Sequence, residues 1–464
     1  MIDSKLASIR ELPPLPEKEF SHIPGESGWP FFGKTFSFIR NAPALMAKAQ
    51  ARHGNLFYVD MFGSRSIAFA DPDDVAMILK DSEENFSSSK GWFRMSGLFD
   101  GGILVRDFND HKPHRKILQK AFQHSEMNNY AEGLNKLIAN ELENWDSLGD
   151  FLFMPKIKSL LLDNAAALFL GADLGDESQL LNQAFIDLLG GLMVTSRSKR
   201  KNSAWQKSQR GKNFLRTWLG ERFEERMNGD GKDFFSSLCR ESRNPEHLMD
   251  KENVIDHTLL LLFAAHDTTT STLSNIMSLL CEHPEWQEKL RSEVKHYRHN
   301  KTSERETTHL TMEDLPHLNH CDRVFKETMR LYPPVFLIPR RAINSFEHKG
   351  RVIPKNASIH LSVYLIHRSK QYWTSPNKFD PERFSQARNE HRQHRFQYIP
   401  FGAGAHTCLG LRFAEAQSKI FLYEFLNRFR ATSKPGRSLA MQTIPIPIPK
   451  DKLPLRLHLS LIHI

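Results

Sequence analysis

One cysteine in this chain of 464 residues lies in a setting that suits a metal ligand. Cys408 follows a turn that contains Gly402 and Gly404, and it precedes a predicted amphipathic helix. Glycines let the backbone approach a flat, bulky group closely, while free N–H groups and the dipole at a helix start favour thiolate over thiol. The alternative interpretation is a buried, inert cysteine in a glycine-rich turn.

A second segment contains groups that could transfer protons. An apolar helical run leads into Ala264 and Ala265, followed by Asp267 and the threonines 268 to 270. A buried acid and a hydroxyl can pass protons, and a threonine can bond the carbonyl one turn back and open the helix locally. The alternative is an apolar helix that ends in a threonine-rich cap.

A third pattern contains the charges of a possible buried ion-pair network. Glu327 and Arg330 are three positions apart and so face the same side of a helix, which should end at Pro333 because proline cannot continue it. The segment 381 to 384, Pro-Glu-Arg-Phe, follows. Taken alone, the first pair would be an ordinary surface ion pair that contributes little to stability.

Together these segments resemble the signature segments of the cytochrome P450 family. Residues 401 to 410 fill the family's haem-binding pattern, Phe-x-x-Gly-x-(His/Arg)-x-Cys-x-Gly, and the Glu-x-x-Arg and Pro-Glu-Arg-Phe patterns are present in order. Ala264, Asp267 and Thr268 match (Ala/Gly)-Gly-x-(Asp/Glu)-Thr, with Ala265 where glycine is usual. The resemblance covers nearly the whole chain. It implies a mainly α fold with small β-sheets (α+β), the cytochrome P450 fold, in a single domain over residues 1–464.

The resemblance implies a role for each matching residue around haem b, iron protoporphyrin IX. Cys408 would bind the iron as a thiolate, with Phe401 packed beside the sulfur and with Gly410 and Ala264 also close to the cofactor. The haem propionates would be bound by four basic residues, His111, Arg115, Arg340 and His406. The Cys408 loop would be locked by a buried triad, Glu327, Arg330 and Arg383.

The resemblance also implies monooxygenation. A thiolate ligand pushes electron density onto iron and favours O–O cleavage, while Asp267 and Thr268 deliver protons. One oxygen atom of O2 would enter a hydrophobic small molecule, with two electrons from NAD(P)H. Because the chain contains no flavin or nicotinamide segment and no iron–sulfur cysteine run, we expect a separate ferredoxin or flavodoxin and its reductase. An acidic partner would suit the basic spacing at Lys112, Lys116 and Lys120, which a solvated helix face explains equally well.

Two other functions fit parts of the same pattern. A peroxide-driven haem-thiolate peroxygenase would keep Cys408 and often lack the acid and alcohol pair, so the intact Asp267 and Thr268 argue against it. A non-catalytic haem-based ligand sensor would keep the haem loop and would not need the proton relay. These alternatives differ in whether turnover requires an electron donor.

The substrate is the least determined part of the prediction. By resemblance the pocket is lined by apolar side chains, as is usual for small molecules: Trp92, Phe93, Met95, Phe99, Leu261, Val335, Phe336, Leu337 and Ile338. The segment 23 to 33 is loosely similar to the sterol- and retinoid-hydroxylating branches of the family. We therefore expect a terpenoid, sterol or fatty-acid-like substrate.

Composition and cysteine spacing argue against other classes. The formal net charge is +9, but no nucleic-acid motif accompanies it. The densest basic cluster, residues 197 to 201, is predicted to be a solvated loop, with a membrane or partner patch as the alternative. Cys239, Cys281 and Cys321 are scattered without any C-x-x-C, which argues against a four-ligand zinc site. No apolar run approaches the roughly 20 residues of a membrane span, so we expect a cytoplasmic, soluble monomer without a transmembrane anchor.

Alternation and periodicity predict the elements that carry these residues. A β-hairpin is predicted over residues 55–70 and a short helix after Asp71, within a β-rich part of about residues 23–85. Residues 86–108 show little periodicity, a helical core should cover about residues 112–330, and strand-like runs return at 351–354 and 358–363. Alternating leucines from 453 to 459 predict a terminal strand. The helix after Cys408 should bury four residues, Leu422, Phe425, Leu426 and Phe429.

Overall fold

Helices predominate in this protein. The computed structural model describes residues 20–145, 149–171, 177–194, 197–198, 200, 202–304, 309–434, 436–437 and 440–459. None of the helices in these ranges is both long and apolar enough to cross a membrane. The helices are α1 (Thr35–His53), α2 (Pro72–Lys80), α3 (Ser88–Gly91), α4 (Phe108–Lys120), α5 (His124–Glu143), α6 (Phe153–Leu170), α7 (Ser178–Gly190), α8 (Ala204–Asn228), α9 (Phe234–Glu241), α10 (Lys251–Glu282), α11 (Pro284–Glu304), α12 (Asn319–Leu331), α13 (Val363–Ile366) and α14 (Leu411–Arg428).

Small sheets accompany the helices. The strands are β1 (Gly25–Glu26), β2 (Leu56–Met61), β3 (Ser64–Phe69), β4 (Phe86–Ser87), β5 (Asp150–Leu152), β6 (Leu337–Ala342), β7 (Phe346–His348), β8 (Arg351–Ile353), β9 (Ser358–Ser362), β10 (Phe429–Ser433), β11 (Met441–Gln442), β12 (Ile448–Pro449) and β13 (Pro454–Leu459). The largest sheet has the order β1-β2-β3-β9-β6-β4, and a second has the order β10-β13-β5. Strands β7 and β8 pair with each other, as do β11 and β12. The large sheet therefore joins the N-terminal hairpin to strands from beyond residue 335.

Acidic side chains begin two of the helices that matter for the site. The Asp71 carboxylate accepts the N–H of Asp73 (3.0 Å), and Pro72 occupies the first position of α2, where its missing N–H costs nothing. Asp250 caps the long helix α10 by accepting the Asn253 N–H (2.8 Å). Both caps satisfy N–H groups that lack a partner within the helix.

Two apolar clusters form most of the interior. The larger one lies among the helices and includes an aromatic group in which Trp145 packs edge-on against Phe153, Phe421 and Phe425. The smaller one lies against the large sheet, with Ile67 and neighbouring strand residues fully enclosed. The long helix α10 is buried along most of its length. It can therefore present side chains to an internal cavity.

Most of the predicted elements are confirmed. Strands β2 and β3 form the antiparallel hairpin, and β13 is the terminal strand, antiparallel to β10. One detail was wrong. Phe429 does not belong to the helix after Cys408, because its backbone is extended (φ −126°, ψ 156°) and it begins β10.

Candidate active site

The loop before α14 is closed by its own backbone. The Cys408 N–H donates to the Phe401 carbonyl (3.0 Å). Gly402 and Gly404 have φ angles of 68° and 70°, in the region that glycine tolerates best. A Cβ on Gly404 would lie 1.9 Å from the Leu79 carbonyl oxygen. This glycine is therefore required where the loop packs against α2.

The Cys408 side chain is accessible although protein surrounds it, from which we infer an internal cavity beside the sulfur. It is accessible to solvent, yet enough protein surrounds it for burial to raise the pKa of its thiol. The Gly410 N–H and the Arg115 guanidinium lower that pKa, but burial is the larger effect. The Gly410 N–H therefore acts in the direction predicted for the helix start, and burial opposes it.

Basic side chains converge beside this loop. Arg115 donates from Nη2 to the Thr407 carbonyl (2.7 Å), and the ring centroids of His111 and His406 are 4.1 Å apart. Burial, together with the charges of Arg340, His111 and Arg115, lowers the pKa of His406 to about 2. The structure thus brings together all four residues that were predicted to bind propionates.

Several donors in this cluster have no protein acceptor among the described residues. Arg340 is buried, burial lowers the pKa of its guanidinium to about 10, and its hydrogen bond in the described chain goes to the adjacent Pro339 carbonyl (2.9 Å). His111 Nε2 and Trp92 Nε1 are buried without a partner in that part of the chain. The cluster is therefore suited to an anion.

Trp92 is a donor that sequence reasoning missed. It was expected only as an apolar wall of the substrate pocket. The residue before it, Gly91, packs so closely that a Cβ would lie 2.7 Å from the Arg340 Cα. The indole N–H of Trp92 is buried without an acceptor in the described chain, which makes Trp92 a candidate donor to a bound anion. A buried indole usually finds such a partner.

Ala264 identifies the face of α10 that borders the inferred cavity. This alanine is exposed although it lies within a helix of 32 residues that is otherwise largely buried. Thr268 lies one turn later on the same face and donates from Oγ1 to the Ala264 carbonyl (2.6 Å). The helix is continuous through this bond. A hydroxyl is thereby held at the cavity.

Asp267 is paired on the neighbouring face of α10. Its Oδ1 lies 3.0 Å from Lys158 Nζ of α6 and 3.2 Å from His266 Nδ1. Burial lowers the pKa of His266 to about 4, so this imidazole is neutral at neutral pH. Lys158 and His266 were both missed by sequence reasoning, and nothing local distinguishes Lys158 from a solvated helix lysine.

The predicted triad is a buried network. Arg330 donates from Nε to Glu327 Oε2 (2.7 Å) and from Nη2 to Glu327 Oε1 (2.8 Å), and Arg383 Nε donates to the same Oε1 (3.3 Å). These side chains are at most 1% exposed. Arg330 also donates to the carbonyls of His367 (2.8 Å) and Pro376 (2.7 Å). The triad therefore joins α12 to loops that precede Cys408.

A fourth member of this network is Glu390. Its Oε2 accepts from Arg383 Nη1 (3.0 Å), and its Oε1 pairs with Arg388. Two carboxylates thus face the two buried arginines, which offsets the cost of removing these charges from water. Sequence reasoning missed Glu390, because in the sequence it looks like any acid in a solvated loop.

Comparison with known proteins agrees with this geometry. The family model described as Cytochrome P450 matches residues 23–455. The chain belongs to the cytochrome P450 family. Members of this family are haem-containing monooxygenases, so the chain is an oxidoreductase.

Similar cytochromes P450 occur in distant organisms. The chain is 29% identical to cytochrome P450 136 of Mycobacterium tuberculosis, over 98% of this chain and 92% of that protein. It is 25% identical to taxoid 7-beta-hydroxylase of Taxus cuspidata, over 98% of this chain and 91% of that protein. Among solved structures, retinoic acid-bound cyanobacterial CYP120A1 has a TM-score of 0.84 at 28% identity, covering 94% of this chain and 99% of that chain.

The residues present fit the haem of this family. Haem carries two carboxylates. His111 Nε2 and Trp92 Nε1 are buried donors without acceptors in the described chain, and the buried Arg340 donates to the adjacent Pro339 carbonyl. A Cβ on Gly410 would meet no atom within 4 Å, so open space borders the cysteine loop. Ala264 faces the cavity with the smallest side chain that a helix favours.

The predicted substrate-pocket residues that come before α12 in the chain differ in their exposure. Trp92 and Leu261 are half-buried against the helical core, whereas Phe93 is 46% exposed. Phe99 is enclosed and stacks on Phe263, with ring centroids 5.0 Å apart. Met95 is buried as well. Phe93 is therefore the most exposed of these residues, and Phe99 and Met95 belong to the packed interior.

The predicted pocket residues 335 to 338 also lie in different surroundings. Ile338 lies beside the cysteine loop, since a Cβ on Gly402 would be 3.8 Å from its Cδ1. Phe336 packs on Phe38 of α1, with ring centroids 6.3 Å apart, in a separate apolar cluster. The remaining two, Val335 and Leu337, are half-buried against sheet-side clusters. Of these four residues, Ile338 has the position that best suits contact with a bound molecule.

The basic spacing on α4 is partly neutralised by the protein itself. Lys112 Nζ lies 3.1 Å from Glu84 Oε1, and Lys120 Nζ lies 2.9 Å from Glu241 Oε1. Lys116 is exposed between them. An acidic partner would therefore meet fewer free cations here than the sequence predicts.

Proposed function

We propose that this chain is a haem-thiolate monooxygenase in which Cys408 binds the iron and one oxygen atom of O2 enters a hydrophobic small molecule. The observation that carries the proposal is the convergence of an accessible thiol, buried donors without acceptors in the described chain, and the exposed Ala264. When bound, haem b supplies the binding and reductive activation of O2. The side chains of the protein supply orientation, charge and protons.

The basic cluster would hold the haem carboxylates. Arg340, His406, His111 and Arg115 provide positive charge or N–H donors, and Trp92 adds an uncharged donor. A buried donor without an acceptor costs about 1–3 kcal/mol, so an anion at this place would stabilise the fold as well as bind.

Phe401 would protect the sulfur from water. Its ring stacks near that of Phe325, with centroids 6.4 Å apart, and it packs against the helical core. The Phe401 carbonyl also accepts the Cys408 N–H. One residue thus fixes the loop backbone and excludes solvent on the protein side of Cys408.

Thr268 and Asp267 would move protons in sequence. The Thr268 hydroxyl lies at the cavity, where it can exchange its bond to the Ala264 carbonyl for one to water or to an oxygen atom of the reactant. The Asp267 carboxylate is held by Lys158, whose side chain is 35% exposed. Rotation of Asp267 away from Lys158 would connect solvent to the cavity face of α10.

The substrate class is proposed to be terpenoid-like, within the broader class of terpenoids, sterols and fatty acids. One relative is named for a taxoid, and the similar solved structure contains retinoic acid. Both compounds are built from isoprene units and are largely apolar. The apolar residues around the site, including Leu261 and Ile338, suit such a molecule.

Electrons are proposed to come from NAD(P)H through a separate ferredoxin or flavodoxin and its reductase. Lys116 is exposed and has no acidic partner among the described residues, whereas Lys112 and Lys120 are paired with Glu84 and Glu241. A single domain, a monomer and a cytoplasmic location also stay predictions.

The proposal is tested by the spectrum of the reduced, carbon monoxide-bound protein. We expect the thiolate-type spectrum in the unmodified chain and its loss in Cys408→Ser, because a neutral hydroxyl is a poor substitute for a soft anionic sulfur. Cys281→Ser is the matched control, since Cys281 is a half-buried cysteine elsewhere in the helical region. A thiolate-type spectrum in Cys408→Ser would contradict the assignment.

Turnover then separates the enzyme from its alternatives. With a competent ferredoxin pair and NADPH, a panel of retinoids, other terpenoids, sterols and fatty acids should give hydroxylated product from at least one terpenoid. Product formed only with hydrogen peroxide would identify a peroxygenase. Ligand-induced spectral change without product under either condition would identify a sensor.

A further inference from the structure

Arg94 is a cation for which the described chain provides no acceptor. It lies in the turn Phe93–Met95 and is open to solvent, and no hydrogen bond or ion pair joins it to a described residue. Its guanidinium lies instead over two rings, 4.4 Å from the centroid of Phe62 and 5.7 Å from that of Phe93. A stacked guanidinium keeps the N–H groups at its edge free to bind an anion.

The ring of Phe62 is held in place under Arg94. Phe62 follows β2 in the turn of the β2–β3 hairpin and has a φ of 54°, a conformation that costs a bulky residue free energy. Its N–H donates to Thr35 Oγ1 (2.6 Å), and its ring packs edge-on against Phe38 of α1, with centroids 5.8 Å apart. The fold therefore maintains a strained residue whose ring supports the guanidinium.

The acid that follows Arg94 on the same segment is already engaged. Asp100 Oδ1 accepts the Gly97 N–H (2.5 Å), and its Oδ2 lies 3.2 Å from Lys212 Nζ. This carboxylate therefore closes its own loop and pairs with α8, and it does not neutralise Arg94.

A second arginine adds positive charge at this place. Arg197 donates from Nη2 to the Ser96 carbonyl (2.6 Å), two positions after Arg94. Partial burial and the charge of Arg197 both lower the pKa of Arg94. Lys199 and Lys201 of the predicted basic cluster lie outside the described residues. Two neighbouring cations repel each other, so an anion between them would be stabilised by both.

Arg94 is also close to the residues that lead to the cysteine loop. Phe62 and Leu337 pack against the same apolar cluster, which contains Phe336. Ile338, the next residue of β6, lies beside the cysteine loop. Since a strand rises only about 3.3 Å per residue, one elongated apolar molecule can contact Ile338 and still reach toward Arg94.

We propose that Arg94 binds a carboxylate of the substrate, and that the oxidised carbon atom lies toward the opposite, apolar end of the molecule. This inference rests on the proposed function and narrows its substrate class to apolar carboxylic acids. The guanidinium fork matches a carboxylate with two parallel hydrogen bonds, and the stacked rings favour a weakly hydrated cation. A neutral terpenoid or sterol would leave Arg94 without a partner.

Equilibrium dialysis of the purified, haem-loaded protein tests this inference without any turnover. The probes are pairs that share a carbon skeleton: retinoic acid and retinol, farnesoic acid and farnesol, and hexadecanoic acid and hexadecanol. In at least one pair the acid should bind about tenfold or more tightly than the alcohol, because a charge-assisted bidentate contact replaces a neutral one. Arg94→Gln should weaken binding of that acid by about tenfold or more and leave the alcohol nearly unchanged.

Two further variants separate charge and geometry from general effects. Arg94→Lys should retain part of the preference for the acid, because lysine keeps the charge but lacks the planar fork. Arg395→Gln is the matched control, since it removes another exposed guanidinium beside a ring, 6.0 Å from the centroid of Phe396. This control should bind the acid as the unmodified protein does.

Other outcomes would overturn the inference. Equal weakening of acid and alcohol in Arg94→Gln would show that Arg94 only stabilises the fold. Alcohols that bind the unmodified protein as tightly as the acids, or the failure of every acid to bind, would exclude a carboxylate site. An Arg94-dependent preference for an acid in protein that forms no hydroxylated product would uphold this inference and remove only the proposed function.

Discussion

Thr268 and Asp267 are adjacent in the sequence but face different surroundings in the structure. The Thr268 hydroxyl is held at the cavity by the Ala264 carbonyl, whereas the Asp267 carboxylate is held by Lys158 on another helix. In the proposed relay, a proton from solvent would reach Asp267 before Thr268. The two residues would act in series, so their removal should have different consequences.

Thr268→Ala should fold, bind haem and substrate, and still consume electrons, but divert much of the reduced oxygen to peroxide. Loss of one positioned acid or base typically costs about 10² to 10⁴ in rate. Asp267→Asn should slow turnover without releasing as much peroxide, because the Thr268 hydroxyl remains. The measurement is product formed, and peroxide released, per electron consumed.

Thr270→Ala is the control for this experiment. Thr270 Oγ1 donates to the His266 carbonyl (2.9 Å) from a buried position, so the variant loses the same kind of bond away from the cavity. Unchanged coupling in Thr268→Ala would mean that ordered water alone carries the protons. An equal loss in Thr270→Ala would point to helix stability instead of proton delivery.

At the scale of elements, α12 and the turn at residues 381–384 behave as one unit. Glu327 on α12 binds Arg383 of the turn, and Arg383 in turn binds Glu390. The charges are buried, so each carboxylate offsets a desolvated guanidinium. This unit supports the chain that leads to the Cys408 loop, although none of its side chains was predicted to touch the cofactor.

Glu327→Gln should lower the free energy of unfolding by about 3–5 kcal/mol, because it leaves buried guanidinium groups without their counter-charge. Glu390→Gln should cost less, since Arg388 on its other side is partly exposed and can rehydrate. Thermal unfolding and the haem content of the purified variants test whether Glu327→Gln is more destabilising than Glu390→Gln. Glu132→Gln, which removes an exposed partner of Lys136, should change neither quantity. Normal melting and haem content in Glu327→Gln would contradict the structural role.

At the scale of the whole molecule, buried neutral histidines connect distant elements. His257 Nε2 of α10 lies 3.0 Å from His114 Nδ1 of α4. Burial lowers the pKa of His114 to about 4 and that of His257 well below its usual value. Burial also lowers the pKa of His367 to about 3, and its Nε2 accepts the Ile399 N–H (2.9 Å).

These shifts predict a loss of stability in mild acid. The unfolded chain protonates such histidines near pH ~6.5, whereas the folded chain excludes the proton until about pH 4 or below, so unfolding takes up protons in between. The free energy of unfolding should therefore fall as pH drops below about 6.5, by up to about 1.4 kcal/mol per pH unit for each group. Urea unfolding at several pH values measures this slope.

His257→Asn should reduce the dependence of the free energy of unfolding on pH, because it removes one group that binds a proton more readily in the unfolded chain than in the folded one. This expectation holds whatever the variant does to stability at neutral pH. His124→Gln is the control, since it removes a histidine that is 59% exposed. An identical slope in His257→Asn and in the unmodified chain would show that the buried pair is not what makes the fold acid-sensitive.

The sequence alone determined the family resemblance and the α+β class, and it predicted the principal site residues. Cys408, Thr268 and Glu327 lie in short segments whose residue types and spacing indicate their chemistry. The hairpin and the helix caps depend on contacts within a few residues. Such features can be predicted from the sequence because residues that are close in the chain are also close in space. The prediction of the buried triad required more than the spacing of Glu327 and Arg330, because it also included the distant Arg383.

Only the tertiary structure decided which other groups complete the site. Lys158, Glu390 and the indole of Trp92 reach their positions through packing between elements far apart in the chain, and no local pattern distinguishes them from solvated or core residues. The same holds for the pKa of the Cys408 thiol, because the helix start favours the thiolate locally while burial by the assembled fold opposes it. Desolvation is a property of everything around a group, so it exists only once the chain has folded.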